Sequence, residues 1–330
     1  MQMKTLLATA ALSISTFALA SQSMAQNTGA WPHAGPITLV VPFAAGGSVD
    51  NAARVIAPLL AQRLGQNIVI ENSAGAAGTI GTYKVVRAKP DGQTLLFAVS
   101  SPITVAPQVS PGIVKYDPFK DLLPITPVGV STFVTVARAD LPADTAQQLI
   151  PLLRAQPGKF TYGTDGVGTS MHIATELIKQ QAGVDMLHVP YKSGPQVVAD
   201  LAGGQIDLAT MPVSLVQPLI HDGKIKAIGV TSRQRWPSLP DTPSLSETPQ
   251  LKNLALDSWY GLLAPAGTAP AITERLVREI ATILKDPATL PKLRAAGLEP
   301  LRMDSTAFAR YLDEEWRTLG AVIASANIKP

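Results

Sequence analysis

From Ile37 onward, short apolar runs alternate with stretches whose apolar residues recur at helical spacing, and glycine-containing loops separate the two. Residues 37–42 read as a buried strand. Residues 48–64 carry Val49, Ala52, Ala53, Ile56, Leu59, Leu60 and Leu64 on one helical face, and Gly65 supplies a C-terminal stop. Pro58 lies inside that helix and removes one backbone hydrogen bond, which predicts a kink. The pattern then repeats as a strand at 67–71, a helix at 79–88, a Lys89-Pro90-Asp91-Gly92 turn and a strand at 94–99. Alternation of this kind predicts an α/β fold with a largely parallel sheet.

After Asp121 the run 122–130, interrupted by Pro124 and Pro127, reads as a crossing into a second set of units that begins with a strand at 132–137. That set comprises a helix at 145–155, a strand ending at Tyr162, a helix at 170–181, a strand at 187–190, a helix at 194–202, and strands at 208–211 and 227–230. Residues 231–253 are Pro- and Ser-rich and weakly periodic, and 259–264 read as a strand returning to the first unit. The remainder, 271–325, is helical in pattern, with Phe308, Tyr311, Leu312, Trp316 and Leu319 marking the apolar side of a cover for the first domain. Asp313, Glu314 and Glu315 read as its solvated face. The expected domains are therefore 26–128 joined by 258–330, and 129–257.

The first residues change the picture of where the chain works. Lys4, the uncharged run 5–20 and the small-x-small patterns Ala18-Leu19-Ala20 and Ser23-Met24-Ala25 read as a secretory signal peptide, 1–25, cleaved after Ala25. The run is Ala/Ser-rich and shorter than the roughly 20 apolar residues of a spanning helix, and no later run is long enough either. About 300 residues remain, enough for two domains with a cleft between them. The chain has no cysteine, which excludes disulfides, thiolate metal sites, cysteine nucleophiles and a lipidated N-terminal cysteine. A formal charge of +3 without a basic cluster gives no support for nucleic-acid binding.

Three glycine-rich loops join strands to helices: Pro42 to Asp50 with Gly46-Gly47, Asn72 to Gly81 with Gly75 and Gly78, and Tyr162 to Ser170 with Gly166 and Gly168. Loops at the carboxyl ends of strands converge on one crevice, and unpaired N–H groups at helix starts attract anions. Neither nucleotide fingerprint, G-x-G-x-x-G or the P-loop, occurs in the first loop. No G-x-S-x-G elbow exists, Ser170 and His172 point to different sides of one turn, and His33, His172, His188 and His221 lack zinc-binding spacing. The loops describe a polar cradle for a small molecule, with no visible catalytic machinery.

The ordered set Val41-Pro42-Phe43, Gly46-Gly47, Asp50, Glu71-Asn72, Gly75, Gly78, Gly81-Thr82 and Pro90-Asp91-Gly92-Gln93-Thr94 resembles the Bug proteins, the tripartite tricarboxylate transporter receptors. The similarity continues through Tyr162-Gly163, Gly166, Gly168, His172, Val189-Pro190-Tyr191-Lys192, Asp200-Leu201, Gly203-Gly204, Asp207, Leu239-Pro240-Asp241-Thr242-Pro243 and Trp259 to Thr268. The resemblance implies a two-domain periplasmic binding-protein fold, type II-like, with two crossing strands as hinge and a small carboxylate in the cleft, whether a di- or tricarboxylate, an aromatic carboxylate or an amino acid. It implies a monomeric, non-enzymatic periplasmic protein without cofactor or metal, partnered by integral membrane transporter subunits, or alternatively by a sensor kinase. Carried over, Phe43, Ala44, Gly46, Gly47, Ser48 and Asp50 would grip one end of the ligand beside Gly75, Thr79 and Ser100. Thr164, Asp165, Gly166, Gly168, Thr169, Ser170 and His172 would close over it, with Tyr191 and Asp207 at the rim or hinge side.

The sequence departs from that pattern at Ser73-Ala74, where a basic residue and proline are usual, at Ser193, where glycine is usual, and at Asp165, in a loop usually uncharged. A carboxylate at Asp165 would repel a second ligand carboxylate and pair with an ammonium. The competing expectation is a solvent-facing turn residue.

Overall fold

The computed structural model describes residues 31–325; the expected signal peptide and its cleavage site lie outside them. The first unit runs β1 (Ile37–Val41), α1 (Ser48–Leu64), β2 (Ile68–Asn72), α2 (Thr79–Val86) and β3 (Thr94–Val99). β1 pairs in parallel with both β2 and β3. α1 forms where its apolar face predicts, and Gly65 ends it in a left-handed conformation (φ 66°) with its N–H on the Ala61 carbonyl. Pro58 stays inside the helix.

A π-helical turn, Ser101–Val105, and α3 (Ala106–Val109) lead to β4 (Leu122–Arg138), a strand of 17 residues. The expectation of a crossing segment followed by a new strand is thus corrected to one continuous strand. Its prolines cannot donate to a ladder, and the pairing with β9 slips at Pro124/Thr126 and Pro127/Gly129 to accommodate them. The chain continues through α4 (Ala146–Ala155), β5 (Thr161–Thr164), α5 (Ser170–Ala182), β6 (Leu187–Pro190), α6 (Gly194–Ala202), β7 (Leu208–Pro212), α7 (Val213–His221) and β8 (Ile225–Val230). It returns through β9 (Asp257–Pro265) and ends with α8 (Pro270–Lys285), α9 (Leu290–Ala295), β10 (Glu299–Pro300) and α10 (Ser305–Ser325). No helix among the described residues is long and apolar enough to cross a membrane.

The sheet order is β2-β1-β3-β9-β4-β7-β5-β6, with β8 and β10 also on β4. β4 changes partners part-way: Leu122 to Thr132 pair with β9, and Phe133 to Arg138 with β7 and β8. Each half has its own apolar packing. Because alternate strand residues face opposite sides, Leu39, Leu95 and Phe97 pack against Ile56 and Leu60 of α1, while Val40, Leu96 and Ala98 face Trp259, Phe308 and Leu312. The other core gathers Val134, Tyr162, Ile173, Leu208, Met211 and Ile228.

α10 does more than cover the first half. Its Leu319 and Ile323 join the core of Ile173 and Leu177, and its end is tied to α5 by a 2.9 Å bond from Gln180 Nε2 to the Ser325 carbonyl. Its carboxylates also divide. Asp313 and Glu314 are exposed, but Glu315 turns inward and accepts hydrogen bonds from Ser100 Oγ (2.8 Å), Thr104 Oγ1 (2.6 Å) and Trp259 Nε1 (2.8 Å). Helical periodicity places residues 313 to 315 on different faces, so the reading of all three as solvated fails for the third.

Phe308 is fully buried and packs edge-on against Trp259 with ring centroids 5.1 Å apart. Phe308→Ala is expected to lower unfolding free energy by about 3–5 kcal/mol, and Glu314→Ala to change it by less than about 0.5 kcal/mol, both read from urea denaturation midpoints.

Candidate ligand-binding site

The carboxyl ends of the strands and the helix starts that follow them enclose a cavity of about 590 Å³. Gly47 and Ser48 open α1, Gly78 and Thr79 open α2, Ser170 opens α5, Ser193 and Gly194 open α6, and Pro212 precedes α7; all line the cavity. First-turn N–H groups lack intrahelical partners and carry the positive end of the helix dipole, so their convergence favours an anion or a carbonyl oxygen. Hydroxyls of Ser101, Ser110, Ser258 and Tyr260 join them, and Val49, Val99, Phe133, Met171, Pro195 and Leu215 supply apolar walls. Lys192, exposed, is the one Lys or Arg in the lining.

Each loop is held from behind. The Asp50 carboxylate accepts from Gly46 N (2.9 Å), Arg54 Nε (2.8 Å) and Asn72 Nδ2 (3.0 Å). Burial alone would raise its pKa, but the hydrogen bonds from Arg54, Gly46 and Asn72 hold it below the usual carboxylate range. In the second loop Gly75 (φ 133°) is followed by Ala76 and Ala77 at φ 47° and 53°, a left-handed pair that side chains adopt at a cost of about 1–2 kcal/mol per residue. In the third, Gly166 adopts φ 133°, Thr169 caps α5 by accepting from His172 N, and Thr164 Oγ1 lies 2.7 Å from His188 Nε2. The third loop is tied to the π-helical turn that follows β3: Ser101 Oγ is 3.0 Å from Ser170 Oγ and accepts from Ser170 N at 3.0 Å.

Residues 52–328 match the model of the tripartite tricarboxylate transporter family receptor. The chain is also 32% identical to the protein BugT of Bordetella pertussis, over 100% of this chain and 99% of that one. The chain belongs to this receptor family. Its fold matches an R. palustris protein solved with adipate (TM-score 0.87, 31% identity, 91% of this chain and 99% of that one). It also matches MatC from Rhodopseudomonas palustris with bound malate (TM-score 0.82, 28% identity, 87% and 98% coverage). The mixed α/β fold is that of the periplasmic binding proteins.

Of the residues expected to contact a ligand, Phe43, Ala44, Gly47, Ser48, Gly75, Thr79, Asp165, Gly166, Ser170 and Tyr191 line the cavity. The other expected contacts stand behind the wall. Gly46 and Asp50 bind each other, Ser100 donates to Glu315, and it is the next residue, Ser101, that faces in. Thr164, Gly168, Thr169 and His172 brace the third loop: Gly168 N donates to His172 Nδ1 at 3.3 Å, and the His172 ring stacks on His188 with centroids 4.5 Å apart. Asp207 sits at the far end of the sheet, where strand β5 begins, accepting from Thr161 N (2.8 Å), Thr161 Oγ1 (3.0 Å) and Arg138 Nε (2.9 Å). Asp165 is no solvent-facing turn residue: it lines the cavity, and its Oδ1 is buried with no hydrogen-bond partner.

His188 is sandwiched between Tyr162 and His172, and burial, reinforced by the charge of His172, lowers its pKa to about 4. An unfolded histidine titrates near 6.5, so between these values the unfolded chain binds the extra proton. His188 therefore contributes stability that is fully present above about pH 6.5 and is lost as pH falls toward about 4. Asp165, Asp257 and Glu315, whose burial raises their pKa values, push in the opposite direction. The difference between wild type and His188→Gln isolates the histidine: urea midpoints followed from pH 7 to 4 are expected to fall less steeply in the variant.

Proposed function

We propose that this chain is the periplasmic receptor of a tripartite transporter, capturing a small carboxylate in the cleft and presenting the closed form to membrane subunits. The observation that carries the reading is the convergence of helix starts α1, α2, α5 and α6 on one cavity lined by hydroxyls. Such a set stabilises a carboxylate through N–H and O–H donors fixed in place before the ligand arrives, so little is spent on ordering them. Adipate and malate in the related structures support a dicarboxylate-sized ligand. The receptor is proposed to act as a monomer and without catalysis.

The two lobes are proposed as residues 26–128 with 258–330, and 129–257. The change of partners along β4 after Thr132 and the separate cores on either side support a hinge there and at the start of β9. In a two-lobe trap a ligand stabilises closure only through contacts to both lobes at once. Ser48, Thr79 and Tyr260 face the cavity from the first lobe, and Asp165, Ser170 and Tyr191 from the second, which meets that requirement. Micromolar capture corresponds to about 8 kcal/mol, within reach of a handful of charge-assisted N–H bonds after the cost of closing.

A thermal-shift screen of the mature protein against mono-, di- and tricarboxylates tests the reading. A bound carboxylate at 100 times its Kd adds about 2.7 kcal/mol and raises Tm by several degrees. Silence from every carboxylate would overturn it. Ser101→Ala removes the hydroxyl that joins the lobes at Ser170, a contact of about 1 kcal/mol, and is expected to weaken ligand binding about fivefold by titration calorimetry.

A further inference from the structure

Asp165 departs from the rest of the cavity lining. Every other polar group there is a neutral hydroxyl or backbone group, apart from the exposed Lys192 at the rim. Asp165 sits in the turn between β5 and α5, against the cavity, with Oδ1 out of solvent and without a hydrogen-bond partner among the described residues, the Thr169 hydroxyl being the side-chain donor nearest the carboxyl. Asp50 differs on both counts: its carboxylate is almost wholly buried and has three donors of its own, whereas Asp165 is half-buried and only its Oδ1 is shut away from solvent. A carboxylate oxygen removed from water without a donor is costly, and such an atom in a folded protein calls for a functional contact, an ion or a water to answer it. No group of three or more residues able to hold a metal ion occurs among the described residues, so the cation that would answer an ionised Asp165 is a protonated nitrogen.

We propose that Asp165 selects the ligand's nitrogen: the receptor binds a small amino-carboxylate, its carboxylate at the α1 and α2 helix starts and its ammonium, or another protonated nitrogen, on Asp165. The proposal rests on the carboxylate-receptor reading of the same cavity and narrows its substrate class. The two ends of such a ligand meet opposite electrostatics on opposite lobes. Gly47, Ser48, Gly78 and Thr79 present N–H and hydroxyl donors from one side, and Asp165 presents an acceptor from the other. A ligand carrying carboxylates at both ends places one of them against Asp165, where like charges in a dry site repel. Burial pushes the Asp165 carboxyl up to about 6, and burial, with the Asp165 charge adding to it, raises the pKa of Tyr260, which lines the same space. An arriving ammonium reverses the first effect by favouring the ionised form.

A competing role is a protonated Asp165 that donates a hydrogen bond to a ligand carboxylate. Asparagine separates the two, because its amide still donates to a carboxylate but offers no charge to an ammonium.

The experiment is titration calorimetry on the mature receptor with matched probes: 6-aminohexanoate against adipate, 4-aminobutyrate against succinate, and glutamate against glutarate. The expected result is that at least one amino-carboxylate binds tenfold or more tightly than its dicarboxylate partner. Asp165→Asn is expected to weaken that amino-carboxylate at least tenfold and to bring the dicarboxylate level with it or ahead. Wild-type preference for the dicarboxylate in every pair overturns the proposal without needing any variant, while leaving the carboxylate-receptor reading in place. So does Asp165→Asn with unchanged amino-carboxylate affinity, since the charge would then play no part. Absence of binding by all six probes, to wild type and variant alike, counts against both readings together.

Discussion

The whole molecule depends on one strand that cannot choose between two sheets. β4 is hydrogen-bonded to β9 along its first part and to β7 and β8 along its second, so the two halves share one continuous strand while burying separate cores. The parallel strands on either side then aim their carboxyl ends at the same gap, and the helices that follow them begin there. A cavity bounded by helix starts is thus a consequence of topology before any side chain is specified. What remained for the sequence to decide was which donors and which charges to set around it.

It set mostly neutral ones, and its two loop aspartates show how environment assigns different roles to the same side chain. Asp50 is saturated by Gly46, Arg54 and Asn72 and fixes the shape of the first loop. Asp165 keeps an oxygen without a donor and faces the cavity. The first uses its charge to shape a loop; the second is the group proposed above to meet a ligand's protonated nitrogen. Placing donors on backbone rather than on Lys or Arg also keeps the site stiff, because N–H groups of a helix start have no rotamers to lose.

Much of this was legible in the chain. Helical and strand periods placed α1, β3, α5, β6 and α6 closely, because each has an uninterrupted apolar pattern and glycine or a polar cap at its ends. The π-helical turn at Ser101–Val105 was not legible, since a bulge of that kind leaves no period to read, and it is what turns Ser101 rather than Ser100 toward the cavity. α7 was left unassigned, its helical pattern being short and broken by Pro218. Asp207, expected at the rim or hinge side, stands just before β7 and outside the cavity lining, because a motif gives order along the chain but not direction within the sheet. Ser258 and Tyr260 reach the cavity only through the β3–β9–β4 pairing, a long-range arrangement that no local pattern encodes.

α10 is anchored at both ends, Phe308 and Leu312 in one core and Leu319 and Ile323 in the other. In a receptor that swings about β4, such a helix behaves as a leash. Widening the mouth must either stretch its far turns away from α5 or carry them along, so the last turns of the polypeptide govern how far the molecule can gape. Under the proposed hinge, the size of solute admitted is then set in part by residues of α10 that stand outside the cavity lining.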